Sequence, residues 1–326
     1  MTHDPHSEQP PKRGRGAGRA EFRAQVEATK ADIERQVQAT RAQMDATTER
    51  IEARTGRNLI LAILIGLVLG LTMLFSLIFI KELFMIFAAL IVGSTAFELT
   101  QALRHSGRNV PRIPVVISAV AVVPAAFYWD VTGQWLATLG GIVLIALWRL
   151  AELAWPKRRA PLRRVLGDIG AGFLIQVYVV FLGSFAVLLV AQPGGQWWAL
   201  AFLLMVISAD TGAYASGLSF GKHPMVPTIS PKMTWEGFAG AAAVCVIAGI
   251  LLAVFMLGQP WWFGLVLGPV ILITATFGDL AESLIKRDLG IKDMSSWLPG
   301  HGGFLDRLDS ILPSAAAAYA LYLIFA

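Results

Sequence analysis

Between Gly278 and Ser310 the chain carries six acidic and four basic side chains, in a sequence that is otherwise poor in charge. Asp279, Glu282 and Lys286 are spaced three and four apart, so on a helix they share one face. Asp306 and Asp309 share a face in the same way ahead of the last apolar run. Arg287, Lys292, Asp293 and Arg307 lie between or beside them. Carboxylate oxygens at such spacing are what Mg²⁺ takes, usually one or two of them together with substrate phosphates. The turn Pro299-Gly300-His301-Gly302-Gly303 lets backbone approach a ligand closely. An ion-pair network tying two helix ends together does not require that double glycine, and the functional reading is preferred for this reason.

A second polar segment lies upstream. It runs Asp210-Thr211-Gly212-Ala213-Tyr214, then Gly221-Lys222-His223, then Ser230-Pro231-Lys232-Met233-Thr234-Trp235-Glu236-Gly237. Ser-Pro followed by Lys and Thr predicts a turn opening a helix, with Thr234 or Ser230 as cap. Helix N–H groups and Lys232 there suit a phosphate; taken alone, the segment reads better as an ordinary capped helix start. The chemistry consistent with both segments is nucleotidyl transfer. A triphosphate and a phosphate acceptor repel each other, and a divalent cation on Asp carboxylates offsets that repulsion and polarises the attacked phosphorus. Lys and Arg stabilise the departing pyrophosphate. No covalent enzyme intermediate is needed.

The elements that must hold these residues are apolar helices. Of 326 residues 56% are hydrophobic and 15% charged, with a mean hydropathy of +0.61; soluble domains carry about 25% charged residues. A membrane crossing takes about 20 apolar residues. About nine such runs are read, near 59–80, 83–103, 112–129, 133–150, 168–190, 196–217, 236–257, 262–284 and 309–326. The fold class is an all-α polytopic membrane protein. A β-barrel would alternate in strands of about ten residues, and no such pattern appears. The lone Cys245 excludes a disulfide framework and a Cys-based metal cluster. His3, His6, His105, His223 and His301 form no HExxH pair. The net charge of +5 reports basic loops, not nucleic-acid binding.

Three regions follow: 1–57, a polar segment that reads as disordered and then helical with no cleavable signal peptide; 58–200, the N-terminal membrane helices; and 201–326, the C-terminal helices with both charged segments. Arg104, Arg108, Arg112, Arg149, Lys157, Arg158, Arg159, Arg163 and Arg164 alternate with turns at 81–82, 130–132, 191–195 and 258–261 that hold only Lys81, Glu82 and Asp130 as charges. Basic loops stay inside. The expected protein is therefore a multi-pass protein of the cell membrane with a cytosolic N-terminus, an external C-terminus and both charged segments facing the cytosol. Gly237, Gly240 and Gly249 allow close helix packing, within the chain or in a homodimer.

Ser283-Leu-Ile-Lys286-Arg287, Lys292-Asp293, Pro299-Gly-His301-Gly-Gly303 and Asp306-Arg307-Leu308-Asp309 resemble the signature of the phosphatidate cytidylyltransferases, with spacing intact. The upstream Asp210-Thr-Gly-Ala-Tyr, Gly221-Lys222 and Ser230-Pro-Lys elements resemble it too. The resemblance is strong over about 200–310 and does not reach 1–57. It implies CTP and phosphatidic acid as substrates in the lipid bilayer, CDP-diacylglycerol and pyrophosphate as products, and Mg²⁺ as cofactor, with K⁺ as a further cation. It places metal on Asp279 and Asp306, and phosphate on Lys232, Lys286 and Arg307. Asp309 and His301 join the catalytic group; Lys222, Ser230, Thr234, Arg287, Asp210 and Asp293 join the substrate contacts. Met233 and Leu218 stand where the family usually has basic residues. Other readings are the same transfer onto another lipid phosphate, a non-catalytic homologue, or a transporter; for the last, the sequence has no repeated halves and gathers its charge at one membrane face.

Overall fold

The computed structural model describes residues 59–295, 297–298 and 302–326. The expectations for residues 1–57 and for His301 lie outside the described residues. The helices are α1 (Leu59–Phe79), α2 (Lys81–His105), α3 (Arg112–Ala151), α4 (Leu162–Ile175), α5 (Leu182–Ala191), α6 (Gly195–Phe220), α7 (Trp235–Phe255), α8 (Trp261–Leu289), α9 (Leu305–Leu308) and α10 (Ile311–Phe325). A single π-helical stretch, Gln176–Phe181, carries α4 into α5. In a bilayer every backbone N–H needs a partner within its own segment, which is why uninterrupted apolar runs fold this way.

Among the described residues seven continuous helical spans are long and apolar enough to cross a membrane, with α4 and α5 joined as one and α9 and α10 as another, against about nine expected. The difference has two sources. The apolar stretch Ile63–Phe79 of α1 falls short of the length, and Arg112–Ala154 runs as one helix where two were read. Within α3, Trp129 (φ −120°, ψ 16°) and Asp130 (φ 53°, ψ −151°) leave helical geometry. A straight helix of that length would be about 60 Å long. Yet the Asn109 backbone N–H and the Arg149 guanidinium, at its two ends, both reach the Asp168 carboxylate at 2.9 Å. The chain therefore reverses at Asp130.

The turns sort by face. Lys81 Nζ donates to the Gln192 carbonyl at 2.7 Å, Gln192 Nε2 to Asp130 Oδ1 at 3.3 Å, and the Tyr322 hydroxyl to the Pro193 carbonyl at 3.0 Å. These turns, nearly free of net charge, meet on one side. At the other ends of the helices, buried Arg149 pairs with buried Asp168 and Glu152, and Arg158 also pairs with Glu152.

Two expected boundaries shift. Helix α6 runs on to Phe220 and α8 to Leu289, past the expected ends at 217 and 284, so that Lys286 sits on α8 together with Asp279 and Glu282. Ser230–Thr234 is a strand, β2, rather than a turn opening a helix. It pairs antiparallel with β1 (Pro224–Val226). Pro231 and Lys232 are extended there because the ribbon gives Ser230 and Thr234 backbone partners across from Val226 and Pro224. Thr234 still caps α7, accepting the Gly237 N–H at 3.1 Å.

Helices α7 and α8 pack with their backbones in contact. A Cβ on Gly264 would lie 2.4 Å from the Ile250 Cα, one on Gly268 2.6 Å from the Cys245 carbonyl oxygen, and one on Gly249 2.6 Å from the Gly264 carbonyl oxygen. Gly237 and Gly240 meet α6 at Ala213 and Ser216 in the same manner. All three glycines that the sequence left open between internal packing and a dimer are engaged within the chain. Gly264→Leu is expected to force α7 and α8 apart at a cost of at least about 1–3 kcal/mol, the usual range for overpacking. Thermal unfolding of the detergent-solubilised variant against the parent measures it.

Candidate active site

The site lies where α6, α7 and α8 converge. Ala209, Asp210, Ala213 and Tyr214 from α6, Gly237, Phe238 and Ala241 from α7, and Leu272, Ala275, Thr276 and Asp279 from α8 wall a cavity of about 220 Å³. The ribbon adds Ser230, Lys232, Met233 and Thr234, and Ser310 closes one side. Five residues singled out by sequence thus line one space: Asp210, Ser230, Lys232, Thr234 and Asp279. Met233, one of the two departures from the family pattern, lines it too. Leu218, the other, is exposed. The ribbon is fixed to α7 by Glu236, which accepts the backbone N–H groups of Lys222 at 3.1 Å and His223 at 3.2 Å and pairs with the His223 ring.

Beside this cavity the acidic residues of α8 meet the segment after Gly302. Carboxylate oxygens of Asp279, Glu282 and Asp309 all lie within 4.8 Å of one another. The Lys286 ammonium bridges Glu282 at 2.6 Å and Asp306 at 3.1 Å. Asp306 also accepts the backbone N–H of Gly303 at 2.7 Å and of Met294 at 3.2 Å. A Cβ on Gly278 would fall 2.1 Å from the Asp309 carbonyl oxygen, so only glycine lets α8 approach that segment. The two carboxylates expected to hold metal are therefore placed differently. Asp279 is in the three-carboxylate group, and Asp306 is on the far side of the Lys286 bridge. Asp306 and Asp309 nonetheless lie on one run of helical backbone, since Asp309 and Ser310 keep helical φ and ψ and the Asp309 N–H donates to the Leu305 carbonyl at 3.0 Å.

The donor set fits a hard divalent cation. It is all carboxylate oxygen, and Glu282 Oε1 is buried while accepting no hydrogen bond among the described residues. Lys222, Arg287, Asp293 and Arg307 are exposed and are not among the residues lining the cavity.

Sequence reasoning missed Glu98. It lies on α2, far away along the chain, and is 1% exposed. Its carboxylate accepts the backbone N–H of Leu305 at 2.8 Å and of Phe304 at 3.1 Å, and the Ser295 hydroxyl. A Cβ on Gly303 would strike it. An anion at the start of α9 satisfies N–H groups that have no partner within the helix. The signal was present: an acid inside an apolar membrane helix is expensive and marks a task. Glu98→Ala is expected to speed amide hydrogen exchange across Gly303–Asp309 while leaving α7 protected, which exchange mass spectrometry reads by segment.

A sequence model described as the Cytidylyltransferase family matches residues 60–325. A phosphatidate cytidylyltransferase of Mycobacterium bovis is 41% identical over 273 residues, covering 82% of this chain and 89% of that protein. One from Mycobacterium leprae is 38% identical over 281 residues, covering 82% of this chain and 88% of its own length. One from Brucella suis is 41% identical over 128 residues, 39% of this chain and 47% of the relative. With the match running from the first described helix to the last, and with its acidic, lysine-bridged cluster in place, the chain belongs to the cytidylyltransferase family.

Proposed function

We propose that this protein joins CTP to phosphatidic acid, giving CDP-diacylglycerol and pyrophosphate, at the cytosolic face of the cell membrane. The observation that carries it is the group of Asp279, Glu282 and Asp309 at the edge of a cavity that also exposes Asp210 and Lys232. Names of relatives over most of the chain agree with the reaction.

A phosphate oxygen of the lipid attacks the α-phosphorus of CTP, and the bond from that phosphorus to the bridging oxygen of pyrophosphate breaks. Mg²⁺, when bound, supplies charge neutralisation and polarisation of the phosphate oxygens. Asp279, Glu282 and Asp309 are the residues that would hold it, with Asp306 adjacent. K⁺ at the same acidic group is part of the proposal through family resemblance alone. Lys286 fixes the positions of Glu282 and Asp306 and brings positive charge to the phosphates. Lys232, on the rim, contacts the triphosphate. The Thr234-capped start of α7 turns backbone N–H groups toward the same space. Arg307, Arg287, Lys222 and Asp293 are assigned to the outer approach of the substrates, and His301 to the catalytic group through the family resemblance.

We also propose nine crossings, with α3 counted as a pair around Asp130 and α1 as the first, a cytosolic N-terminus and an external C-terminus. The gathering of the turns at Lys81, Asp130 and Gln192 opposite Arg149 and Arg158 supports that orientation.

Purified protein given phosphatidic acid and radiolabelled CTP is expected to move label into the lipid phase only with Mg²⁺. Asp279→Asn is expected to cut that rate about 100-fold or more, and Lys286→Met about 100-fold, the loss typical of removing one group that stabilises charge in the transition state. Metal-dependent label at the parent rate in both Asp279→Asn and Asp306→Asn would sink the mechanism. Label on a different lipid phosphate only, in a substrate panel, would keep the chemistry and replace the acceptor. Met233→Lys, which restores the family's usual residue on the cavity wall, is expected to lower the KM for CTP with little change in the KM for phosphatidic acid.

A further inference from the structure

A second cavity lies deeper in the helix bundle and is apolar throughout. Met73 of α1, Phe84 to Val92 of α2, Gly183 and Ala186 of α5, and Ala199, Phe202 and Leu203 of α6 line it. Its remaining wall is Leu308, Ile311, Leu312 and Ala315. No lining side chain is charged or carries a hydrogen-bonding group.

Three features tie this space to the site. Leu308 and Ile311 flank Asp309 and Ser310 in sequence, so one short segment presents a carboxylate to the acidic group, a hydroxyl to the polar cavity and two aliphatic side chains to the apolar one. Helix α6 serves both cavities, Asp210 in the polar one and Phe202 in the apolar one, eight residues or about 12 Å apart along the helix axis. Helix α2 lines only the apolar space, through Phe84, Phe87, Ala88, Ile91 and Val92, but its Glu98 also holds the start of α9. The apolar cavity thus begins level with the acidic group and runs toward the opposite membrane face.

We propose that this cavity receives one acyl chain of the lipid phosphate substrate, so that the phosphate is delivered to the acidic group by a chain anchored alongside α10. The proposal rests on the reading of the site as a lipid-phosphate cytidylyltransferase. The occupant follows from position and chemistry. The space is inside membrane-crossing helices, which a water-soluble ligand does not enter, and it starts beside the residues that would meet the lipid's phosphate. Its volume, about 90 Å³, is a few times the roughly 30 Å³ that a water molecule occupies in the liquid. It therefore takes a stretch of one chain and leaves the second in the bilayer. Small lining residues, Ala88, Gly183, Ala186, Ala199 and Ala315, keep the path open.

The first test uses the unmodified protein in lipid nanodiscs with phosphatidic acid bearing a photoreactive diazirine on one acyl chain. Crosslinks are expected on peptides containing Phe84–Val92 and Leu308–Ala315, competed by unlabelled phosphatidic acid and not by phosphatidylcholine. Crosslinks confined to other helices, or competed equally by phosphatidylcholine as a bulk lipid chain would be, overturn the proposal. The second test fills the space with Ala88→Phe and, separately, Ala186→Phe. The ratio of kcat/KM for dioleoyl to that for dioctanoyl phosphatidic acid is expected to fall about tenfold, the scale at which a filled apolar pocket discriminates. An unchanged ratio in folded variants overturns the acyl-chain site while leaving the reaction standing. Failure of the parent protein to label any phosphatidic acid from CTP overturns the reading of the site itself.

Discussion

Three carboxylates held within 4.8 Å of one another set the central constraint on this molecule. At an effective dielectric near 20, two unit charges at that separation repel by roughly 3 kcal/mol. An apolar bundle relieves such a cost either by leaving a carboxyl protonated or by bringing cations to the group. Lys286 is one, one helical turn after Glu282 on the same face of α8 and touching it at 2.6 Å. The proposed divalent ion at Asp279, Glu282 and Asp309 would answer the rest. The backbone is built to keep these groups close in spite of their repulsion. Gly278 lets α8 come against the Asp309 carbonyl, and the N–H groups of Gly303 and Met294 hold Asp306 on Lys286.

That constraint explains why the first half of the membrane region is coupled to the second. The segment carrying Asp306 and Asp309 opens the last helical run, Leu305–Phe325. The first N–H groups of a helix have no partner within it. Glu98 supplies the missing anchor from α2, accepting the two N–H groups that open α9. The Tyr178 hydroxyl reaches the Gly278 carbonyl from the π-helical stretch, a second though longer tie at 3.4 Å. The N-terminal helices are thus part of what aligns the acidic group as well as a hydrophobic mass beside it.

What was legible in the sequence followed from local rules. Asp279, Glu282 and Lys286 share a face because spacings of three and four do so on any helix, and α8 carries them as expected. The apolar runs gave the helices, and Thr234 gave the cap of α7. What was not legible depended on partners distant in sequence. Ser230–Thr234 became a strand because Pro224–Val226 lies across from it, a pairing that no turn rule within the segment reveals. Asp306 and Asp309 were read as one face of one helix. Both carboxylates do turn toward α8, Asp306 to Lys286 and Asp309 to Asp279 and Glu282, but that α8 would be their common partner was not readable from the spacing. Glu98 was overlooked because it is a single acid in an apolar helix, with none of the glycine and lysine around it that marked the other segments.

The arrangement also accounts for why the acidic group lies in the C-terminal half of α8 and at the start of the last helical run. One substrate of the proposed reaction comes from water carrying several negative charges, and the other comes from the bilayer with its phosphate at the surface. A site at mid-membrane would require stripping water from a triphosphate, and a site beyond the helices would require lifting acyl chains out of lipid; both costs are avoided only at the boundary. Asp210 and Asp279 lie ten residues, about 15 Å, inside the C-terminal ends of α6 and α8, and the exposed Lys232 on the ribbon lines the same cavity. Because α6 passes from Asp210 to Phe202 within about two turns, the polar and apolar spaces lie on one rigid element. The distance between a bound phosphate and the chain below it is then fixed by the helix rise, so one element can register both ends of the lipid against the nucleotide.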